Sequence, residues 1–126
     1  MPQAIYSTDE IKIHAAGDSF RIYEWSGGGP PDMHVHFEDD EAWHVLEGTL
    51  VFKLPDAEIS IGPGQTMFIP AGTPHTFYEA QGPRRYLMIL TPQLDELINE
   101  LHRSPLDQHS AVMERYRSST DWQKFL

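Results

Sequence analysis

Between Ile11 and Thr91 the apolar residues fall in short runs, rich in aromatic and β-branched side chains, that alternate with polar positions and are each cut short by Gly, Pro or Asp. Alternation is the period of a half-buried strand, and turns at such close intervals are the spacing of an all-β sandwich or barrel. The predicted strands are Ile11–His14, Phe20–Trp25, Met33–Phe37, Ala42–Leu46, Thr49–Lys53, Glu58–Ile61, Thr66–Ile69, His75–Glu79 and Tyr86–Leu90. Among the separators are Gly27-Gly28-Gly29-Pro30-Pro31, Glu47-Gly48, Pro70-Ala71-Gly72-Thr73-Pro74 and Gly82-Pro83, which supply the backbone angles that turns need. No helical period survives so many interruptions.

After Thr91 the pattern changes. Leu94, Leu97, Ile98 and Leu101 form one stripe of an amphipathic helix, with Pro92 suited to its first turn. A second helix is expected to start at Ser104-Pro105-Leu106-Asp107, with Ser104 as its cap and Leu106, His109, Met113 and Tyr116 on one face. Residues 92–126 carry six acidic against four basic side chains, the wrong balance for a helix that reads DNA. These helices are expected to cover a face of the β-structure or to contribute to a dimer contact.

With 126 residues the chain has room for one domain and one core. Its net charge of −10 would repel a phosphate backbone or an anionic membrane, so neither is expected as a partner. The absence of cysteine removes disulfides, thiol nucleophiles and thiolate-bound zinc, and leaves His and carboxylates to hold any metal. The first ten residues lack the basic start and apolar run of a signal peptide, so a cytoplasmic location is expected.

His34 and His36 are one residue apart in a β-type run, which sends both imidazoles to the same side of a sheet. Glu41 follows an acidic turn that could return it beside them, and His75 opens a strand directly after a turn. Three neutral imidazoles and a carboxylate form a competent set for Fe(II), Mn(II), Ni(II) or Zn(II) and leave coordination positions open. On spacing alone, His34 and His36 could equally be surface residues of an edge strand. His44 has the opposite strand parity to Glu41 and is expected to point outward, while His14, His102 and His109 have no chelating spacing.

The wider pattern separates these readings. Gly28, five residues, His34-Val35-His36, four residues, Glu41, six residues and Gly48 resembles the first motif of the cupin family. Gly64, five residues, Pro70-Ala71-Gly72, two residues and His75 resembles the second. The resemblance implies a double-stranded β-helix, or jelly-roll barrel, over residues 1–91, with residues 92–126 as a C-terminal helical extension of the same domain. It also implies that His34, His36, Glu41 and His75 are metal ligands. The second motif often ends in Asn where this chain has Glu79. That side chain is expected to pair with Arg84 or Arg85, or, if it faces the pocket, to act as a general base.

The function implied is that of a metal-dependent enzyme acting on a small organic molecule, with dioxygenase-type or isomerase-type chemistry. Glu79 and Tyr78 are the candidate proton handlers, and Trp43 and Phe77 the candidate pocket residues. Tyr23, Trp25, Met33, Phe52, Met67, Tyr86 and Met88 are looser candidates to line the cavity, and a barrel core needs such side chains in any case. A non-catalytic binding or sensor module is the alternative, and a metal that only staples the barrel is a third reading. Exposed sheet edges make a homodimer the expected assembly. Metal affinity is expected to fall on acidification through about pH 6, because imidazoles bind metal only when neutral.

Overall fold

The computed structural model describes residues 12–29, 32–80 and 84–125. Ile11, Pro30-Pro31, Gly82-Pro83 and the N-terminal segment of the sequence reading lie outside them. The strands are β1 (Ile13–Ala16), β2 (Arg21–Trp25), β3 (Val35–His36), β4 (Glu41–Glu47), β5 (Leu50–Leu54), β6 (Ala57–Ile61), β7 (Thr66–Ile69), β8 (Thr76–Glu79), β9 (Arg85–Leu90) and β10 (Ser118–Ser119). The helices are α1 (Pro92–Arg103) and α2 (His109–Arg115), with 3-10 turns at Leu106–Gln108 and Trp122–Phe125. None of the described helices is long and apolar enough to cross a membrane.

All pairings are antiparallel. One sheet has the order β1-β2-β9-β4-β7, a second β6-β5-β8, and β3 pairs with β10. A single bridge between His34 and His75 joins the segment before β3 to the start of β8. Gly48 adopts φ 84°, in the left-handed region that disfavours residues with a Cβ, and there the chain passes from the first sheet to the second.

Register explains which side chains meet. Tyr23, Met88, Trp43 and Met67 are successive partners across β2, β9, β4 and β7, and Arg21, Leu90, Glu41 and Ile69 form the next row. From the facing sheet, Phe52 and Phe77 are partners on β5 and β8 and stack with centroids 5.4 Å apart. Both meet Trp43 edge-on, at 4.9 and 5.2 Å. Burial of a side chain of the size of Phe52 contributes about 1.5–3 kcal/mol, so this aromatic cluster clamps the two sheets together.

The helices close one side of the core. Leu94 and Leu97 are buried, and Ile98 and Leu101 pack beside them, as the apolar stripe required. Thr91 caps α1 by accepting the Leu94 N–H at 3.1 Å. Its hydroxyl donates to buried Asp39 at 2.8 Å, and Gln93 donates to the other oxygen of that carboxylate at 2.6 Å.

Two features of the helical reading are corrected. Ser104 does not cap a second helix; it closes α1, its N–H bonding Leu101 O and its hydroxyl donating to Glu100 O at 2.8 Å. Pro105 forces the preceding residue into extended backbone, and α2 begins only at His109. Leu106 therefore sits in the intervening turn, 85 % exposed, and Val112 with Met113 forms the buried face of α2.

Candidate metal centre

His34, Val35 and His36 are all buried, because the segment lies under β10 on one side and against His75 on the other. The backbone holds the pair in place. The N–H groups of His34 and His75 each donate to the other's carbonyl, at 2.9 and 2.8 Å. Gly72, at φ 87°, donates its N–H to His36 O at 2.7 Å, which fixes the turn that delivers His75.

The three imidazoles converge. Their ring centroids are 4.6–5.6 Å apart, and one nitrogen from each lies within 4.8 Å of the others. Glu41, at the start of β4, places Oε1 3.8 Å from His36 Nε2 and 3.5 Å from His75 Nε2. His34, His36, Glu41 and His75 are thus brought to one place.

The outer nitrogens show how the rings are set. His34 Nδ1 lies 3.2 Å from Asp32 O and His75 Nδ1 2.8 Å from Thr73 O, and a carbonyl can only accept. His36 Nδ1 lies 2.7 Å from Ser118 Oγ, whose own proton is directed to Tyr116 O. Each ring therefore carries its proton on Nδ1, and Nε2 keeps its lone pair for the centre. That is the arrangement by which proteins orient metal-binding histidines.

The residues fit a divalent cation. His75 Nε2 and Glu41 Oε1 are both buried without a hydrogen-bond partner, a costly condition that a shared cation relieves. Burial, reinforced by the neighbouring His75 imidazole, lowers the His34 pKa to about 4. Burial also takes His36 well below the usual imidazole range. Both are neutral at pH 7, the state a metal requires. Three nitrogens and a carboxylate oxygen suit Fe(II), Mn(II), Ni(II) or Zn(II).

His34, His36 and Glu41 line a cavity of about 630 Å³ between the five-stranded sheet and the helices. Trp43 and Phe77 both line it, together with Tyr23, Met88 and Leu97. Tyr78 and Glu79 do not line it. The alternation of β8 turns Phe77 inward and leaves Tyr78 41 % exposed, with its hydroxyl donating to Glu58 at 2.8 Å. Glu79 lies at the opposite end of β8 from His75, bonded to Arg84 at 2.5 Å and to the Gly27 N–H. Its work is structural, holding the glycine turn at the cavity edge, and neither residue is placed to move a proton at the centre.

His44 points outward to Thr66 Oγ1, at 2.7 Å. His102 and His109 carry more than the sequence suggested, since both reach the outer part of the cavity, where His102 stacks on Trp25 at 6.0 Å. Sequence reasoning gave no sign of Ser118 beside His36, nor of buried Asp95, which binds Arg21 at 2.7 Å and Tyr23 at 2.8 Å. Those contacts join residues 72–82 positions apart and leave no local pattern.

An antiparallel β-fold with a buried three-histidine group that could hold a metal ion, beside a carboxylate, defines a β-barrel of the jelly-roll kind. The cupin domain profile matches residues 21–90, more than half of the chain, which therefore belongs to the cupin family. A cupin-2 domain protein from Shewanella frigidimarina is similar in structure, with TM-score 0.53, 26 % identity and coverage of 64 % of this chain and 76 % of that one. The fold is also shared with KdgF from Halomonas sp., at TM-score 0.57, 20 % identity and coverage of 68 % and 82 %. An uncharacterised protein of Methanocaldococcus jannaschii is 33 % identical over 43 residues, a match that spans 34 % of either chain.

Proposed function

We propose that this cupin is a metal-dependent enzyme acting on a small organic molecule by dioxygenase-type chemistry. The observation that carries the proposal is the convergence of three imidazoles and Glu41 beside a cavity of about 630 Å³, large enough for a small-molecule substrate. Bound Fe(II), Mn(II) or Ni(II) would supply Lewis acidity and, for the redox-active ions, electron transfer. The chain's part is to hold that ion through four side chains and keep its open side toward the cavity. Trp43, Phe77, Met88 and Leu90 give this part of the cavity an apolar wall without a general acid or base. Isomerisation needs a proton-moving group beside the reacting carbon; Tyr78 and Glu79 face elsewhere, and the cavity residues Tyr23 and Asp95 are bonded to each other two strands away from the strand that carries Glu41. This favours oxygenation over isomerisation. A cytoplasmic homodimer belongs to the same proposal, supported by β1 and β7 as the edge strands of the described five-stranded sheet.

The test is metal analysis followed by oxygen uptake. Protein loaded with Fe(II), Mn(II) or Ni(II) is expected to consume oxygen with a member of a panel of enols, catechols and diketones. His34→Ala and His75→Ala are expected to lose metal while remaining folded. Full occupancy in both variants would overturn the ligand assignment. Panel compounds that are isomerised, or bound without oxygen consumption, would overturn the dioxygenase reading in favour of an isomerase or a binding module.

A further inference from the structure

We infer that the cavity selects an uncharged two-ring organic molecule, apolar along its length, with a hydroxyl group that faces Tyr23 and Asp95. The inference deepens the proposed function and rests on it for the end of the molecule that meets the histidines.

Charge comes first. No lysine or arginine is among the described residues that line the cavity, whereas Asp32, Glu41 and Asp95 are. Arg21, two residues before Tyr23 on β2, already gives Nη1 to Asp95 at 2.7 Å. Away from the histidine cluster, a phosphate, sulfonate or second carboxylate on the ligand would be desolvated with no lysine or free arginine to receive it, a heavy penalty. The walls add the second constraint: Trp43, Phe77, Met88, Leu90, Leu97 and Ile98 offer aromatic and aliphatic surface.

The third constraint is the polar end. Asp95 is 6 % exposed, and its Oδ2 accepts from Arg21 and from the Tyr23 hydroxyl. Its Oδ1 has only a long 3.4 Å bond from Asn99. The Tyr23 oxygen, its proton spent on Asp95, retains lone pairs. Asp95 Oδ1 and the Tyr23 oxygen therefore act as acceptors, and the group they fit is a donor. Tyr23 is the register partner of Met88, and Met88 of Trp43, so this end lies two strand spacings, roughly 10 Å, from the strand that carries Glu41. Two fused rings bridge such a span.

The test is calorimetric titration of the Zn(II)-loaded protein, which has no redox turnover, with 2,3-dihydroxynaphthalene, 2,3,6-trihydroxynaphthalene and 2,3-dihydroxynaphthalene-6-sulfonate. The added hydroxyl is expected to tighten Kd at least about tenfold, as a hydrogen bond to a charged group does, and the sulfonate to weaken it at least about tenfold. Asp95→Asn, which turns an acceptor edge into a donor, is expected to bring the ratio between the first two probes to within about twofold of unity. If that variant does not fold, Tyr23→Phe keeps the Arg21–Asp95 pair and should lose part of the same advantage. A sulfonate that binds as well as the parent, a hydroxyl without effect, or no binding by any probe overturns the inference. The same titrations on metal-free protein separate the two proposals. If only the metal reading fails, removing the metal leaves every Kd unchanged and the order of the probes persists. If only this inference fails, affinity depends on metal but the order vanishes.

Discussion

Stripping the metal should make the protein acid-sensitive in a pH range where carboxylates are still ionised. Burial holds the His34 pKa to about 4, against about 6.5 for an imidazole in an unfolded chain. At a pH between those values the unfolded chain carries a proton that the folded chain does not, so added acid pulls the equilibrium toward unfolding. The contribution of His34 is complete above pH 6.5 and is lost as the pH falls toward 4. Between pH 8 and pH 5 the loss from this one group is about 2 kcal/mol, rising to about 3 kcal/mol by pH 4. His36, shifted in the same direction by the same burial, adds to it. A domain of this size has a total stability of about 5–15 kcal/mol, so the effect is large. Urea unfolding of chelator-treated protein at pH 8 and pH 5 measures it, with the midpoint expected to fall by about 1 M or more. His34→Gln removes the titrating group and should show a pH dependence smaller by about 2 kcal/mol. Equal losses in the wild type and the variant would refute the reasoning. For the metal-bound protein the same depressed pKa means that protons begin to compete at His34 well below pH 6, lower than the sequence alone suggested.

Ser118→Ala should leave the fold intact and weaken metal binding about 10- to 100-fold, measured by competition with a chelator, because the His36 ring loses the acceptor that orients it. Thr91→Ala should cost about 1–2 kcal/mol in urea unfolding, since it removes the cap of α1 and a donor to Asp39 together, and Thr91→Ser should recover most of the loss.

Much of the centre was legible because its parts obey local rules. His34 and His36 lie at strand parity, the glycines at 48 and 72 sit at positive φ where turns demand them, and the stripe through Leu94 and Leu97 faces the core. Alternation also sorted inside from outside on β4, where Glu41, Trp43 and Val45 are buried between less buried neighbours. What escaped was non-local. The two residues of β10 carry no alternation, and their place beside β3 is decided by the path of the chain through α1 and α2. Asp95 looks like an ordinary acidic residue in the first turn of a helix, and only the fold reveals that Arg21 and Tyr23 wait opposite it. Ser104 departs from the sequence pattern because a serine before Pro105 satisfies the local rule for starting one helix while the backbone uses it to finish another.

Asp39 sits two residues ahead of Glu41 and grips the first turn of α1 through Thr91 and Gln93. The helix that roofs the cavity and the carboxylate at its floor are thereby fastened to a single buried anchor. Lid and floor form one mechanical piece, so a molecule that levers the helix outward must also tug on the acidic loop that leads into Glu41.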